Sequence, residues 1–285
     1  MKILVTGGRG MLGRTLVRHL TVRHSVLALG RQELDITDCA AVELACREFR
    51  PAAVLHCAAM TNVDGAESQP ELAFEINVRG TENVAAACRQ VGARLIAFST
   101  DYVFDGSLPR PYHEEDEPNP QTVYGRSKLA GELAVRQLCP DHLILRIAWL
   151  YGAGGPSFVH TMLRLGRQPG VPLRVVDDQI GNPTSADAVA ERVLALLDTT
   201  ATGTWHLTAE GEATWYQFAR AIAGVVPFER RVLPCATADY PRPARRPANS
   251  RLQKRQLERH ALRPMDHWSV RLQDFLASEA RRAAA

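Results

Sequence analysis

The chain has 285 residues, 46% of them hydrophobic and 23% charged, a balance that excludes wholesale disorder and fits either two domains or one large α/β unit. Its 34 basic and 31 acidic side chains leave a net charge of +3, too small and too dispersed to point to nucleic acid or a membrane surface. No apolar run reaches the ~18 residues of a membrane span, and MKILVTG starts a strand at once where a signal peptide needs a basic and then an apolar region, so a cytoplasmic protein is expected.

Ile3–Val5 reads as a short apolar strand, and a helical pattern follows from Gly13 to Leu20. Val26–Leu29 is a second strand. Residues 39–49 are helical, with Val42, Cys46 and Phe49 recurring at intervals of three and four until Pro51 stops the pattern. Residues 53–58 form the next strand, 72–91 a long helix, 94–99 a strand, 124–138 a helix and 143–149 a strand. Apolar strands alternating with amphipathic helices imply right-handed βαβ units, hence a doubly wound parallel sheet with ligands beyond the C-terminal strand ends.

The rhythm loosens after Tyr151. Residues 158–166 read as a helix, while helix 187–197 and strand 203–207 look regular enough to rejoin the main sheet. The segment 240–250, with Pro241, Pro243 and Pro247, reads as a loop, and the final EARRAAA as a fraying tail. The expected division is a dinucleotide-binding domain over 1–152, rejoined by 185–210, and a smaller C-terminal lobe over 153–285 that mainly binds substrate.

The six cysteines, at 39, 46, 57, 88, 139 and 235, make no C-x-x-C pair and read as buried reduced thiols. His113-Glu114 starts like H-E-x-x-H, but Glu117 stands where the second histidine belongs, so that metal reading ends.

Thr6–Gly13 reads TGGRGMLG, with glycines at 7, 10 and 13 between the first strand and its helix. Gly7 permits the tight turn, Gly10 lets the backbone approach a pyrophosphate, and Gly13 lets the helix lie against the sheet. Exposed N–H groups at the helix start then meet the negative charge. The second strand ends Leu29-Gly30-Arg31, where an NAD site usually carries an acid. Arg31, with Arg9 as a weaker candidate, suits a 2′-phosphate and favours NADPH; each also reads as a solvated surface charge. Asp35 and Ile36 fit beside the adenine, and Asp38 fits equally well as a helix cap.

Tyr124 and Lys128 form Y-x-x-x-K at a helix start, so phenol and ammonium share one face. A neighbouring cation stabilises phenolate and brings a group with pKa ~10 closer to general acid–base use. Only three of the 34 basic residues are lysines, which makes a lysine at this position informative. Thr100, after the strand at 94–99, places a hydroxyl in the same crevice; its alternative is a turn-forming side chain.

TGGRGMLG, STDYVFDG (99–106) and YGRSK (124–128) together resemble the extended short-chain dehydrogenase/reductase family. AAMTNVDGAES (58–68), RIAWLYG (146–152), DDQIGNPT (177–184) and RPANSRL (246–252) narrow the resemblance to its nucleotide-sugar ketone reductases, across nearly the whole chain. The resemblance implies NAD(P)H-dependent reduction of the C4 ketone of dTDP-4-dehydro-6-deoxy-L-mannose to dTDP-L-rhamnose, for bacterial surface polysaccharide. By that similarity Tyr124, Lys128 and Thr100 are the catalytic triad. Gly10, Met11, Leu12, Asp35, Ile36, Ala59, Met60, Thr61 and Phe98 follow the cofactor, and Thr100, Asp101 and Trp149 meet the sugar nucleotide. Trp149 also reads as core packing. One of Arg242, Arg245 and Arg246 is placed to pair with the diphosphate, although Gln253 stands where relatives commonly carry Asp.

Two other readings remain open at this point. One is an epimerase or dehydratase of the same family holding NAD tightly; the other is a non-catalytic dinucleotide-binding regulatory subunit. NADH as an alternative coenzyme, a homodimer and a bridging Mg2+ are likewise left open, since no carboxylate cluster names itself as ligands.

Overall fold

The structure, a computed structural model, describes residues 1–284. Six strands make the central sheet: β1 (Lys2–Thr6), β2 (Ser25–Leu29), β3 (Ala53–His56), β4 (Arg94–Thr100), β5 (His142–Ile147) and β6 (Gly203–His206). They are all parallel, in the order β6-β5-β4-β3-β1-β2. The near-continuous apolar runs of β3 and β4 are buried on both faces, as a covered parallel sheet requires. Helices Met11–Leu20 and Ala186–Leu197 pack Leu16, Leu20, Val189 and Val193 on one face. Helices Cys39–Phe49, Gly80–Val91 and Val123–Leu138 pack Val42, Val84, Cys88 and Val135 on the other. The fold is therefore the doubly wound α/β type, and strand order reverses between β1 and β3, which places the glycine turn after β1 at the switch point.

The remainder packs beside the C-terminal strand ends. Ile180–Gly181 lies between Ala213–Thr214, antiparallel, and Asn249–Ser250, parallel. Val232–Cys235 pairs with Leu173–Val176. Val159, Met162, Phe218, Ile222 and Leu272 form the core of this lobe.

Several sequence boundaries move. The first helix begins at Met11 rather than Gly13, because Gly10 is an extended N-cap without a side-chain cap. The long helix begins at Pro70 and contains a π turn, Glu75–Arg79, whose extra residue turns Asn77 inward to polar partners. β3 ends at His56 and β5 at Ile147, since the chain leaves the sheet and Trp149 takes a left-handed backbone with φ +47°. The proline-rich segment contributes the strand Asn249–Ser250. The expected tail is instead helical: Trp268–Ala284 buries Leu272, Phe275 and Leu276, and Glu279 pairs with Arg282 at 2.6 Å. Ala285 lies outside the described residues. All six cysteines are free, but only Cys46, Cys88 and Cys139 are buried, and Cys39 is exposed at the start of its helix. Among the described residues no helix is long and apolar enough to cross a membrane.

Candidate active site

A cleft of about 800 Å³ opens over the C-terminal ends of β1–β5. Its floor is the glycine turn. Gly7 has φ +65°, and a Cβ there would lie 2.6 Å from the Ala58 amide nitrogen, so the turn closes on β3 only without a side chain. A Cβ on Gly13 would lie 2.3 Å from the Gly7 carbonyl oxygen, so the helix rests directly on the turn. The first helical N–H groups, with no side chain capping them, border the cleft at Met11, Leu12 and Gly13, while the Gly10 amide donates to the Gly7 carbonyl at 2.9 Å. One wall carries Arg31, Asp35 and Ile36, and the other Ala59, Met60, Thr61 and Phe98. Thr100, Asp101, Tyr124, Lys128 and Trp149 close the far end. Every residue proposed from sequence for cofactor or catalysis therefore borders one space.

The two arginine candidates separate. Arg9 is engaged by Glu33 at 2.9 Å, and the second Glu33 oxygen accepts the Gly30 amide at 2.9 Å. That carboxylate follows β2 closely, yet it is consumed by these contacts. Arg31 is exposed and helps hold the Asp35 carboxyl below its usual range, chiefly set by hydrogen bonds from Thr37. Asp38 caps the following helix, its Oδ1 accepting the Ala41 amide at 3.0 Å.

Tyr124 and Thr100 are buried, at 8% and 5% exposure. The expected lowering of the phenol by Lys128 is not what the structure gives. Burial pushes Tyr124 up to about 12; Thr100 draws it down in part and Asp101 raises it further. Lys128 directs its ammonium to the Phe98 carbonyl oxygen at 2.8 Å, and burial brings it down to about 8, against the raising effect of Glu132. At neutral pH the phenol thus carries its proton and the ammonium its charge, the state from which a proton is given away. Asp101, whose Oδ1 accepts the Thr100 hydroxyl at 3.0 Å, is pushed up to about 6 by burial.

Sequence reasoning passed over the residues that hold these groups. Asn77 Oδ1 accepts the Met60 amide at 2.8 Å, and its Nδ2 donates to the Met60 carbonyl at 3.1 Å and to Ser127 Oγ at 2.9 Å. Ser127 donates onward to the Tyr124 carbonyl at 2.8 Å, tying the wall at Met60 to the helix that carries Tyr124 and Lys128. An asparagine inside an apolar helical stripe was the available signal. Glu132, one turn beyond Lys128, is buried against Arg146 and Ser99.

A second cleft of about 1100 Å³ lies in the C-terminal lobe, lined in part by Arg174, Tyr240, Arg242, Arg245 and Arg246. Arg246 is held bidentate by Asp64, at 2.6 and 2.9 Å, and Arg242 lies over the Tyr240 ring at 4.6 Å. Tyr102 borders both clefts, and its ring meets that of Tyr124 edge-on, with centroids 5.6 Å apart.

A close-packed glycine turn at the switch point of a doubly wound sheet, with a buried Tyr–Lys–Thr set at the far end of one cleft, defines an extended short-chain dehydrogenase/reductase. The chain belongs to the RmlD substrate binding domain family, whose model matches residues 1–281. A relative from Streptomyces griseus named dTDP-4-dehydrorhamnose reductase is 46% identical, over 98% of this chain and 94% of its own. A solved dTDP-4-dehydrorhamnose reductase from Clostridium acetobutylicum is 42% identical with a TM-score of 0.96, covering 98% of this chain and 100% of that one. The Bacillus anthracis reductase of that name, solved in complex with NADP, is 37% identical with a TM-score of 0.95, covering 97% and 99%.

Proposed function

We propose that this chain reduces the C4 ketone of dTDP-4-dehydro-6-deoxy-L-mannose with NADPH, giving dTDP-L-rhamnose. The observation that carries the reading is the position of Tyr124 at the far end of a cleft suited to a dinucleotide, edge-on to Tyr102, which borders both that cleft and the second one edged with arginines. The names of the relatives support the same substrate and direction. Functionally, residues 1–152 with 185–210 form the dinucleotide domain, and the remainder serves the sugar nucleotide.

The first cleft fits the cofactor: any side chain at Gly7 or Gly13 would collide with the backbone, and the helix N–H groups beside them stand unclaimed by a cap. Gly7, Gly10, Met11, Leu12 and Gly13 would hold the diphosphate, and Arg31 a 2′-phosphate. Asp35 and Ile36 would meet the adenosine, while Ala59, Met60, Thr61 and Phe98 line the path to the nicotinamide end. Bound NADPH supplies the hydride. Lys128 holds the ribose, and its charge offsets the negative charge left when Tyr124 gives its proton to the C4 oxygen. Thr100 offers a second hydroxyl to that oxygen, in a setting buried enough to strengthen both contacts. Asp101 and Trp149 face the sugar, and Arg242 and Arg245, neither held as firmly as Arg246, face the diphosphate.

Supplying the dTDP-linked 4-keto sugar and following the near-ultraviolet absorbance of NADPH tests the reading. Stoichiometric consumption is expected. Dinucleotide binding without consumption would leave an epimerase or a regulatory subunit.

A further inference from the structure

Two indoles stand at the boundary of the two clefts. Trp149 borders the first and Trp215 the second, and they lie face to face with centroids 3.4 Å apart and planes 4° from parallel. Trp149 is held there against its own backbone, whose φ of +47° is sparsely populated by residues with a side chain. Gly181 lies against the same indole. A Cβ at that position would come 2.5 Å from Trp149 Cε2 and 2.6 Å from Nε1. The ring cannot yield freely, because Trp215 already touches it at van der Waals distance.

Both restraints come from one small sheet. Gly181 pairs with Ala213 and Ile180 with Thr214, and Trp215 follows directly as the first residue of its helix. Thr214 and Gln217 form a reciprocal capping box that fixes this helix start, and Phe158 packs on Trp215 with centroids 4.6 Å apart. The Thr184 amide donates to the Trp149 carbonyl at 3.2 Å.

We propose that Gly181 and Trp215 are positioning residues that clamp Trp149 as a flat apolar wall of the sugar subsite. The proposal rests on the functional reading above. Neither residue touches the reacting atoms. They remove the freedom that Trp149 would otherwise lose each time a sugar binds, so their contribution belongs to substrate affinity.

The test compares Gly181→Ala, Trp215→Leu and Trp215→Phe with the unaltered protein. Stacked indoles couple their transitions, so the protein should show an exciton couplet in its circular dichroism, and Gly181→Ala should lose it although both tryptophans remain. The KM for the keto sugar should rise about tenfold in Gly181→Ala and Trp215→Leu, with kcat changed far less. Trp215→Phe, which keeps a ring, should recover most of the affinity, and the Kd for NADPH should be unchanged throughout. A couplet that survives Gly181→Ala overturns the clamp, as does its loss with no change in KM, or an equal change in the NADPH Kd. If the unaltered protein leaves the keto sugar unreduced, the functional reading falls, and the clamp is then decided by the couplet in Gly181→Ala alone.

Discussion

Replacing Glu132 with Gln isolates what sets the charge of Lys128. The Glu132 carboxylate accepts two hydrogen bonds from Arg146 at 2.8 and 2.7 Å, one from Ser99 at 2.5 Å and one from Arg136 at 2.9 Å. Lys128 sits one helical turn earlier, pulled down to about 8 by burial, with Glu132 the largest opposing influence. Two unit charges on the order of 7 Å apart, a little beyond the ~5–6 Å between β-carbons one helical turn apart, attract by about 2 kcal/mol at an effective dielectric near 20, or ~1.5 pK units. The ammonium is charged below its pKa, so activity that needs it is present at low pH and lost as pH rises. The alkaline limb of kcat/KM for NADPH should therefore fall near pH 8 in the unaltered protein and about 1.5 units lower in Glu132→Gln. The same change leaves Arg146 buried without a charged partner of full strength, at a cost of ~3 kcal/mol, or about 6–12 °C in Tm. Calorimetry and pH–rate profiles read the two effects separately. A variant that melts early yet keeps its alkaline limb would show that Glu132 braces the fold and has no hold on Lys128.

Tyr124→Phe should lower kcat by ~10²–10⁴ while NADPH titrations give an unchanged Kd, since only the proton donor is removed; unimpaired turnover would remove Tyr124 from the chemistry. Arg31→Ala should weaken NADPH about tenfold more than NADH, whereas Arg9→Ala, already committed to Glu33, should not alter that ratio; equal losses for both coenzymes would make Arg31 a surface charge. His56, between Thr6 and Thr81, is held neutral by burial, its pKa lowered to about 3. The folded chain then binds fewer protons than the unfolded one between about pH 3 and 6.5, so stability is full above that window and falls on acidification, by ~2 kcal/mol at pH 5 from this group. Denaturant titrations should show a shallower acid slope in His56→Gln, and identical slopes would refute the assignment.

The doubly wound sheet was legible because its signals are local: apolar strands such as Val54-Leu55, helical stripes such as Val42-Cys46-Phe49, and a glycine turn between strand and helix. Tyr124 and Lys128 were legible for the same reason, four residues apart on one helix face. What stayed hidden depends on contacts distant in sequence. Ile180–Gly181 is a strand only because Ala213–Thr214 and Asn249–Ser250 flank it, and two residues carry no period. Glu33 pairs with Arg9 through a side-chain contact that sequence spacing does not specify. The phenol's raised pKa follows from burial, which the Y-x-x-x-K spacing does not convey. The inward turn of Asn77 needed an inserted residue in a helix that otherwise reads as regular.

Isotope transfer tests the central claim most directly. NADPH deuterated at the transferable C4 position of its nicotinamide, incubated with the chain and the dTDP-4-keto-6-deoxy sugar, should deliver deuterium to C4 of a dTDP-L-rhamnose product, at one label per coenzyme oxidised. Label retained on the dinucleotide while the keto sugar is epimerised, or left untouched, would contradict it.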